Sequence, residues 1–370
     1  MCDSPRHEID RDAIGSTIED LDTPLLLLDG PASTRNINRM AEFFRDRASQ
    51  LRPHFKNHKC TTIARRQLAA GSAVGITCAK LGEAEVLAEA GVADVLIANQ
   101  LVGRRKLARL VNLAGRINLK VAVDDLRQIT AISESAAAAG VAVGILIEVN
   151  IGMNRCGVEP GQPALALAQE ICKLPGLRFD GIQAYEGHVV YDDDAERRAE
   201  LVRKDMQLAV DTRRLIEQSG IPVGVISGGS SSTYNVTGLI DGVDEIQAGT
   251  YPTMDWRYAQ LSPDFEVALS VLTRVISTQG GRAVLDVGLK GASAEFGLPR
   301  IKGHPEIELP TFSSEEHCIA PNTAGWKVGD IVELLPSHAC TTCNLHRAMH
   351  VHEAGRVVDI WPIEGSGKLA

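Results

Sequence analysis

Aromatic residues are scarce in this chain of 370 residues, where seven Phe, five Tyr and three Trp make up 4% of the sequence. The core must therefore be aliphatic, and an aromatic beside a polar cluster becomes informative. No apolar run approaches the ~20 residues of a membrane-spanning helix. Met1 to Asp22 is polar and charged with no apolar core, so neither a signal peptide nor an anchor is expected there. Basic residues are also short, 38 against 47 acidic, for a formal net charge of −9. That balance argues against wholesale nucleic-acid binding, although a local basic cleft can still take a small anion. Eight cysteines without a secretory signal imply a reducing, cytoplasmic setting in which cysteine fills core, binds metal or reacts. Cys78 and Cys172 stand among apolar neighbours and are expected to be inert. Low-complexity segments are absent.

What is present has a rhythm. Leu25 to Asp29 reads as a buried strand, and Ser33 to Ala48 as a helix with Ile37, Met40, Phe43 and Phe44 on one face. Short apolar runs then recur at Leu51 to Lys56, Val74 to Ala79, Val95 to Ala98, Leu119 to Val123, Gly144 to Val149, Phe179 to Tyr185, Val223 to Ser227 and Glu245 to Tyr251. Alanine-rich amphipathic stretches such as Gly82 to Ala90 and Asp125 to Ala139 separate them, as the crossover helices of βα units should. The count and length match a (β/α)8 barrel, with an open doubly wound sheet as the competing arrangement. In a barrel, functional residues belong at the C-terminal ends of strands. From about Asp264 the helical period gives way to short β-branched runs punctuated by Gly and Pro, the pattern of a smaller β domain. The expected division is 1–29, an N-terminal segment whose strand joins the β domain; 30–263, the barrel; and 264–370, the β domain.

Chemistry-bearing residues gather at the predicted strand ends. In Arg52-Pro53-His54-Phe55-Lys56-Asn57-His58-Lys59, Lys56 is the candidate for an amine that loses its proton and condenses with a carbonyl. Arg52, His54, His58 and Lys59 would depress its pKa and attract an anionic cofactor; the alternative is a basic strand end in solvent. Ser227, Gly228, Gly229, Ser230 and Ser231 follow a strand directly, so backbone N–H groups and hydroxyls can close on a phosphate, unless the run is a plain loop. Gly249, Thr250 and Tyr251 form a second small-residue turn at the next strand end. Neither is a nucleotide-binding P-loop, which needs a Lys-Ser/Thr ending. Arg155 offers a permanent cation for a phenolate or carboxylate, or else closes a surface ion pair. Tyr185 can pack on a flat ring, and His188 is a candidate general base or a structural histidine. In the β domain, His338 and Cys340 would share one side of an extended segment and could bind a divalent ion, zinc by preference. Cys340 and Cys343 also form a C-x-x-C pair, but no second pair completes a four-cysteine site.

These motifs, together with Gln183-Ala184-Tyr185-Glu186-Gly187, Asp286-Val287-Gly288-Leu289-Lys290 and Pro336-Ser337-His338-Ala339-Cys340, resemble the D-threonine aldolase and D-serine dehydratase family from about Thr23 to Lys368. The resemblance implies the alanine-racemase fold, a barrel followed by a β domain, and pyridoxal 5'-phosphate as cofactor. It makes Lys56 the lysine that carries the cofactor, sets Tyr185 against the pyridine ring and Arg155 near its phenolic oxygen, and arranges Ser227 to Ser231 with Gly249, Thr250 and Tyr251 around the phosphate. His338 and Cys340 match the family's metal pair, for zinc or manganese above all, and the metal would bind the substrate's β-hydroxyl. The implied reaction is retro-aldol cleavage of a D-3-hydroxy amino acid to glycine and an aldehyde. Its alternative is β-elimination from D-serine or D-3-hydroxyaspartate to an oxoacid and ammonia. His-x-Cys looks like the dehydratases, whereas Gln183 to Gly187, Thr250 to Tyr258 and Trp361 to Lys368 look like the aldolases. Several aldolases carry a histidine six residues beyond the tyrosine, where this chain has Tyr191, with His188 at three. The expected assembly is a cytoplasmic homodimer with no nucleic-acid or membrane partner.

Overall fold

The computed structural model describes residues 11–370. Two compact units account for them. One gathers the described residues through Ile37 with Asn57–Ile63 and Thr250–Ser366; the other comprises Asn38–Lys56, Ala64–Gly249 and Gly367–Ala370. The first ten residues of the expected N-terminal segment lie outside the described residues.

The strand β1 (Leu25–Asp29) precedes eight strands of a single parallel sheet: β2 (Gln50–Leu51), β3 (Ile76–Cys78), β4 (Asp94–Ile97), β5 (Asn118–Val123), β6 (Val143–Glu148), β7 (Leu177–Ala184), β8 (Val225–Gly228) and β9 (Glu245–Ile246). Their hydrogen-bonded order runs β2-β9-β8-β7-β6-β5-β4-β3. The parallel bridges Leu51↔Ala73 and His54↔Thr77 bring the chain after β2 back against β3 and close the ring. Closure excludes the open doubly wound sheet. Burial explains the continuous apolar runs: every residue of β3 and β6 is buried, as parallel strands covered on both faces must be. The crossover helices start and stop on local signals. Asp125 caps Leu126–Ala139 through the Arg127 N–H, and Gly140 ends that helix at φ 66°, a left-handed conformation natural to glycine. Cys78 is buried as expected, but Cys172 is exposed at the end of the helix Gln162–Ile171, which corrects its assignment to an apolar environment.

The other unit is a mixed sheet. Its remaining strands are β10 (Leu269–Ser277), β11 (Arg282–Leu285), β12 (Arg300–Ile301), β13 (Cys318–Pro321), β14 (Ile331–Leu335), β15 (Ala348–Glu353) and β16 (Arg356–Pro362). β1 lies between β10, to which it is antiparallel, and β15, to which it is parallel. Ile18, Leu21, Leu27, Leu272, Val357 and Ile360 form its hydrophobic cluster. Asp286 of the Asp-Val-Gly-Leu-Lys motif is structural here, accepting hydrogen bonds from the Thr273 hydroxyl at 2.6 Å and the Arg274 N–H at 2.8 Å. Among the described residues, no helix is long and apolar enough to cross a membrane.

Candidate active site

The basic segment after β2 divides its labour. Arg52 is 2% exposed and spends its charge inside the barrel. It donates to both carboxylate oxygens of Glu245 in β9 at 2.7 Å and to Asp94 in β4 at 2.5 Å, and Lys120 of β5 binds the same Asp94 at 2.8 Å. A Cβ on Gly75 would collide with the Arg52 guanidinium, so glycine makes room for this polar layer. Arg52 therefore does not supply the electropositive surroundings of Lys56. Its partners neutralise it at the N-terminal ends of β4 and β9, which corrects that expectation. His54 is buried; its backbone N–H bonds Ala248 at 3.0 Å, and its ring Nδ1 accepts from the Lys56 N–H at 3.4 Å.

Lys56 and Arg155 face the same ring. The Lys56 Nζ lies 5.7 Å from the centroid of Tyr185, and the Arg155 Cζ lies 5.6 Å from it. Tyr185 follows β7 directly, so the barrel geometry puts it at a strand's C-terminal end. Gly187 lets it sit there, because a Cβ would strike both the Tyr185 ring and the Met153 sulfur. Arg155 is half exposed, 3.9 Å from the buried Glu148 at the end of β6. Burial pushes the Glu148 pKa up, against a hydrogen bond from Gln100 and the charge of Arg155. Gln100 donates to Glu148 at 2.6 Å and to Asp124 at 3.2 Å. Gln100 carries no motif that would have marked it in the sequence. His188 is tied to Asp205 of the helix Ala195–Gln218, with Nε2 to carboxylate oxygen 2.9 Å, and its ring fills the space a Cβ on Gly152 would need. A carboxylate that fixes the tautomer and orientation of an imidazole is the usual support of a general base.

The turn after β8 is built from hydrogen bonds among its own groups. Ser227 Oγ accepts from Gln247 Nε2 at 2.9 Å, and the same amide reaches Gln183 at 3.3 Å, so the ends of β7, β8 and β9 are joined. Gly229, at φ 79°, donates its N–H to Glu186 at 3.2 Å. The Ser230 N–H goes to the Thr233 hydroxyl at 3.0 Å, and the Ser232 N–H to Ser230 Oγ at 3.2 Å. Two of the amides expected to point at a phosphate, those of Gly229 and Ser230, are thus committed within the protein, while Ser227, Ser230 and Ser231 contribute buried hydroxyls beside them. Gly228 is obligatory, since a Cβ would overlap the Ala184 carbonyl. An amine, a tyrosine ring, a fixed cation and a hydroxyl-lined turn are the chemical parts a pyridoxal phosphate needs, and these residues fit it.

Gly249 belongs to the barrel unit, whereas Thr250 and Tyr251 belong to the β unit. Thr250 is buried and its carbonyl accepts from Met254 at 2.8 Å; Tyr251 is fully buried, its ring 6.0 Å from Phe265. In the same unit the segment carrying His338 and Cys340 is not extended. His338 has extended dihedrals (φ −146°, ψ 114°), but Ala339–Leu345 is a helix, so the two side chains meet across a helix start rather than along a strand. One carboxylate sets that start: Asp255 accepts from the Ala339 N–H at 2.9 Å and from the Tyr258 N–H at 2.8 Å, capping two helices at once. The Cys340 sulfur accepts from Asn57 Nδ2 at 3.4 Å, and Thr253 holds the Asn57 carbonyl at 2.7 Å. Phe296 packs edge-on against the His338 ring at 4.7 Å. Burial lowers the His338 pKa, but the neighbouring Cys340, with Asp255 and Glu295, outweighs it and raises the value to about 9. His338 Nδ1 is buried with no hydrogen-bond partner among the described residues. An orphaned imidazole nitrogen beside a thiol fits a soft divalent ion such as zinc. Among the described residues no group of three or more His, Cys, Asp and Glu surrounds the pair, so a bound ion would keep positions for other ligands.

The alanine racemase N-terminal domain model matches residues 28–255, and a putative serine dehydratase domain model matches residues 268–352. The chain is 37% identical over 360 residues to a D-threonine aldolase of an Arthrobacter species, covering 95% of both chains. It is 32% identical over 368 residues to a 3-hydroxy-D-aspartate aldolase of Paracoccus denitrificans, covering 96% of this chain and 94% of that one. A D-threo-3-hydroxyaspartate dehydratase of a Delftia species is 31% identical, covering 93% and 98% respectively. Among solved structures, the D-threonine aldolase of Filomicrobium marinum superposes with a TM-score of 0.93 at 36% identity, over 96% of this chain and 99% of that one.

Proposed function

Because the chain belongs to the D-threonine aldolase and D-serine dehydratase family of the alanine-racemase fold, we propose that it is a lyase cleaving D-3-hydroxy amino acids to glycine and an aldehyde. The fold implies pyridoxal phosphate, which when bound supplies an electron sink for the bond broken at the substrate's α-carbon. Lys56 and Arg155 converging on the face of Tyr185 is the observation that carries this reading within the barrel. Lys56 would hold the cofactor through its side-chain amine. Tyr185 orients the ring, Arg155 keeps a positive charge beside it through the cycle, and Ser227 to Ser231 with Gly249, Thr250 and Tyr251 take the phosphate. His188, oriented by Asp205, takes the β-hydroxyl proton. His338 and Cys340 hold zinc or manganese, which when bound polarises a hydroxyl. The proposal extends to the division of labour, with residues 30–263 as the cofactor barrel and 264–370 as the metal-bearing domain, and to a cytoplasmic homodimer.

A second reading is favoured by the thiol of Cys340, the ligand type that resembles the dehydratases. There Lys56 takes the α-proton and the β-hydroxyl leaves, giving an oxoacid and ammonia. Purified protein with added pyridoxal phosphate, incubated with D-threonine and D-serine with and without a chelator, separates the two. Glycine and aldehyde without ammonia establish the aldolase, and ammonia with an oxoacid establishes the dehydratase. Inertness toward both substrates in the presence of zinc and manganese overturns the lyase proposal.

A further inference from the structure

The serine-glycine turn after β8 is held in shape by a residue to which neither the motifs nor the proposed chemistry assigns a role. Glu186 is completely buried and follows Tyr185 immediately. Its carboxylate accepts three hydrogen bonds from the turn and the short helix behind it: the Gly229 N–H at 3.2 Å, the Thr233 hydroxyl at 2.8 Å and the Thr237 hydroxyl at 2.6 Å. Thr233 relays the constraint, because its hydroxyl oxygen accepts the Ser230 N–H at 3.0 Å while its proton goes to Glu186. Ser230 Oγ in turn accepts the Ser232 N–H, and Ser232 Oγ donates to the Val190 carbonyl at 2.9 Å. Every link is internal to the protein. A fully buried carboxylate is costly unless its oxygens are satisfied, and here the donors are drawn from one turn and the short helix that follows it.

We propose that Glu186 is a positioning residue for phosphate recognition: it fixes Gly229, Thr233 and, through Thr233, Ser230, so that the buried hydroxyls of the turn meet the cofactor's phosphate in one arrangement. Glu186 itself does not touch the cofactor. Its place in the chain couples this turn to Tyr185, since adjacent residues hold the two ends of the same ligand. The inference rests on the assignment of the phosphate to the turn at Ser227 to Ser231.

The test compares binding of pyridoxal phosphate with binding of pyridoxal, which lacks the phosphate, by equilibrium dialysis of the apoprotein. Wild type is expected to prefer pyridoxal phosphate strongly. In Glu186→Ala that preference falls at least about tenfold, the scale of losing hydrogen bonds to a charged group, while pyridoxal binds nearly as before. Glu186→Gln keeps an oxygen for the Gly229 N–H and offers its amide to the two threonine oxygens, so most of the preference returns. Should Glu186→Ala fail to fold, Thr237→Val removes one of the three hydrogen bonds and is expected to lower the same ratio by a smaller factor. A ratio unchanged in Glu186→Ala, or in Thr237→Val where the alanine variant cannot be read, overturns the inference. A wild type without preference for the phosphate form overturns the assignment of the phosphate to this turn, and the inference with it.

Discussion

Asp255 is the side chain through which the β unit controls the geometry of His338 and Cys340. It is fully buried, and burial pushes its pKa up against the Tyr258 and Ala339 N–H groups that stabilise its charge. Asp255→Ala removes two helix caps, each worth ~1 kcal/mol, so the loss is at most about 2 kcal/mol, less the part returned by relief of the buried charge. Asp255→Asn has a different consequence. One oxygen can still cap one helix, but the amide must then turn its own N–H toward the other backbone N–H. Leaving a buried donor facing a donor costs about 1–3 kcal/mol, so asparagine is expected to be no better than alanine despite its shape. Either variant loosens the start of the helix Ala339–Leu345, and supporting residues of this type change metal affinity by roughly 10-fold or more. Urea unfolding reads the first effect, and zinc titration against a competing chelator reads the second. Wild-type unfolding together with wild-type zinc affinity in Asp255→Ala would refute the reasoning, and asparagine fully restoring both would refute the donor-against-donor part of it.

Other expectations follow from the same physics. Arg52→Met leaves the buried Glu245 without its cation and Asp94 with Lys120 alone, and should destabilise the protein by roughly 3–5 kcal/mol, read as a lower urea midpoint. His346 donates Nε2–H to the Gly291 carbonyl at 2.7 Å, and burial depresses its pKa. The unfolded chain therefore takes up the proton first. The stability it contributes is complete above the ordinary histidine value near ~6.5 and is lost as pH falls through it toward the folded value, by up to ~1.4 kcal/mol per pH unit. His346→Gln should flatten that slope in thermal melts between pH 7 and 5. Dialysis against a chelator should abolish turnover and zinc or manganese restore it in wild type, whereas Cys340→Ala should need far more metal for the same recovery, as a metal-dependence curve will show.

The barrel was legible because parallel strands covered on both faces read as near-continuous apolar runs, and all eight runs lie on barrel strands or their immediate ends. β12 and β13 were missed: the first is two residues long, and the second, Cys318–Pro321, is four residues with one β-branched side chain and a proline at its end. Lys56, Arg155 and Tyr185 could be picked out because each follows a strand, where barrels keep their chemistry. The roles of Glu186 and Asp255 could not, since their partners are backbone N–H groups and hydroxyls brought in by the fold. Asp255 and Ala339 are 84 residues apart. Arg52 illustrates the converse. A basic residue in a basic motif looked like part of the site, but carboxylates on β4 and β9 claim it. The extended reading of His338 to Cys340 failed because a helix seven residues long, capped by a distant carboxylate, has no local sequence signal.

The central claim is that Lys56 carries the cofactor. Reducing the pyridoxal phosphate-loaded protein with borohydride, digesting it and locating the label by mass spectrometry tests this directly. The label is predicted on Lys56. A label on Lys59 alone, or none on any lysine, contradicts the account.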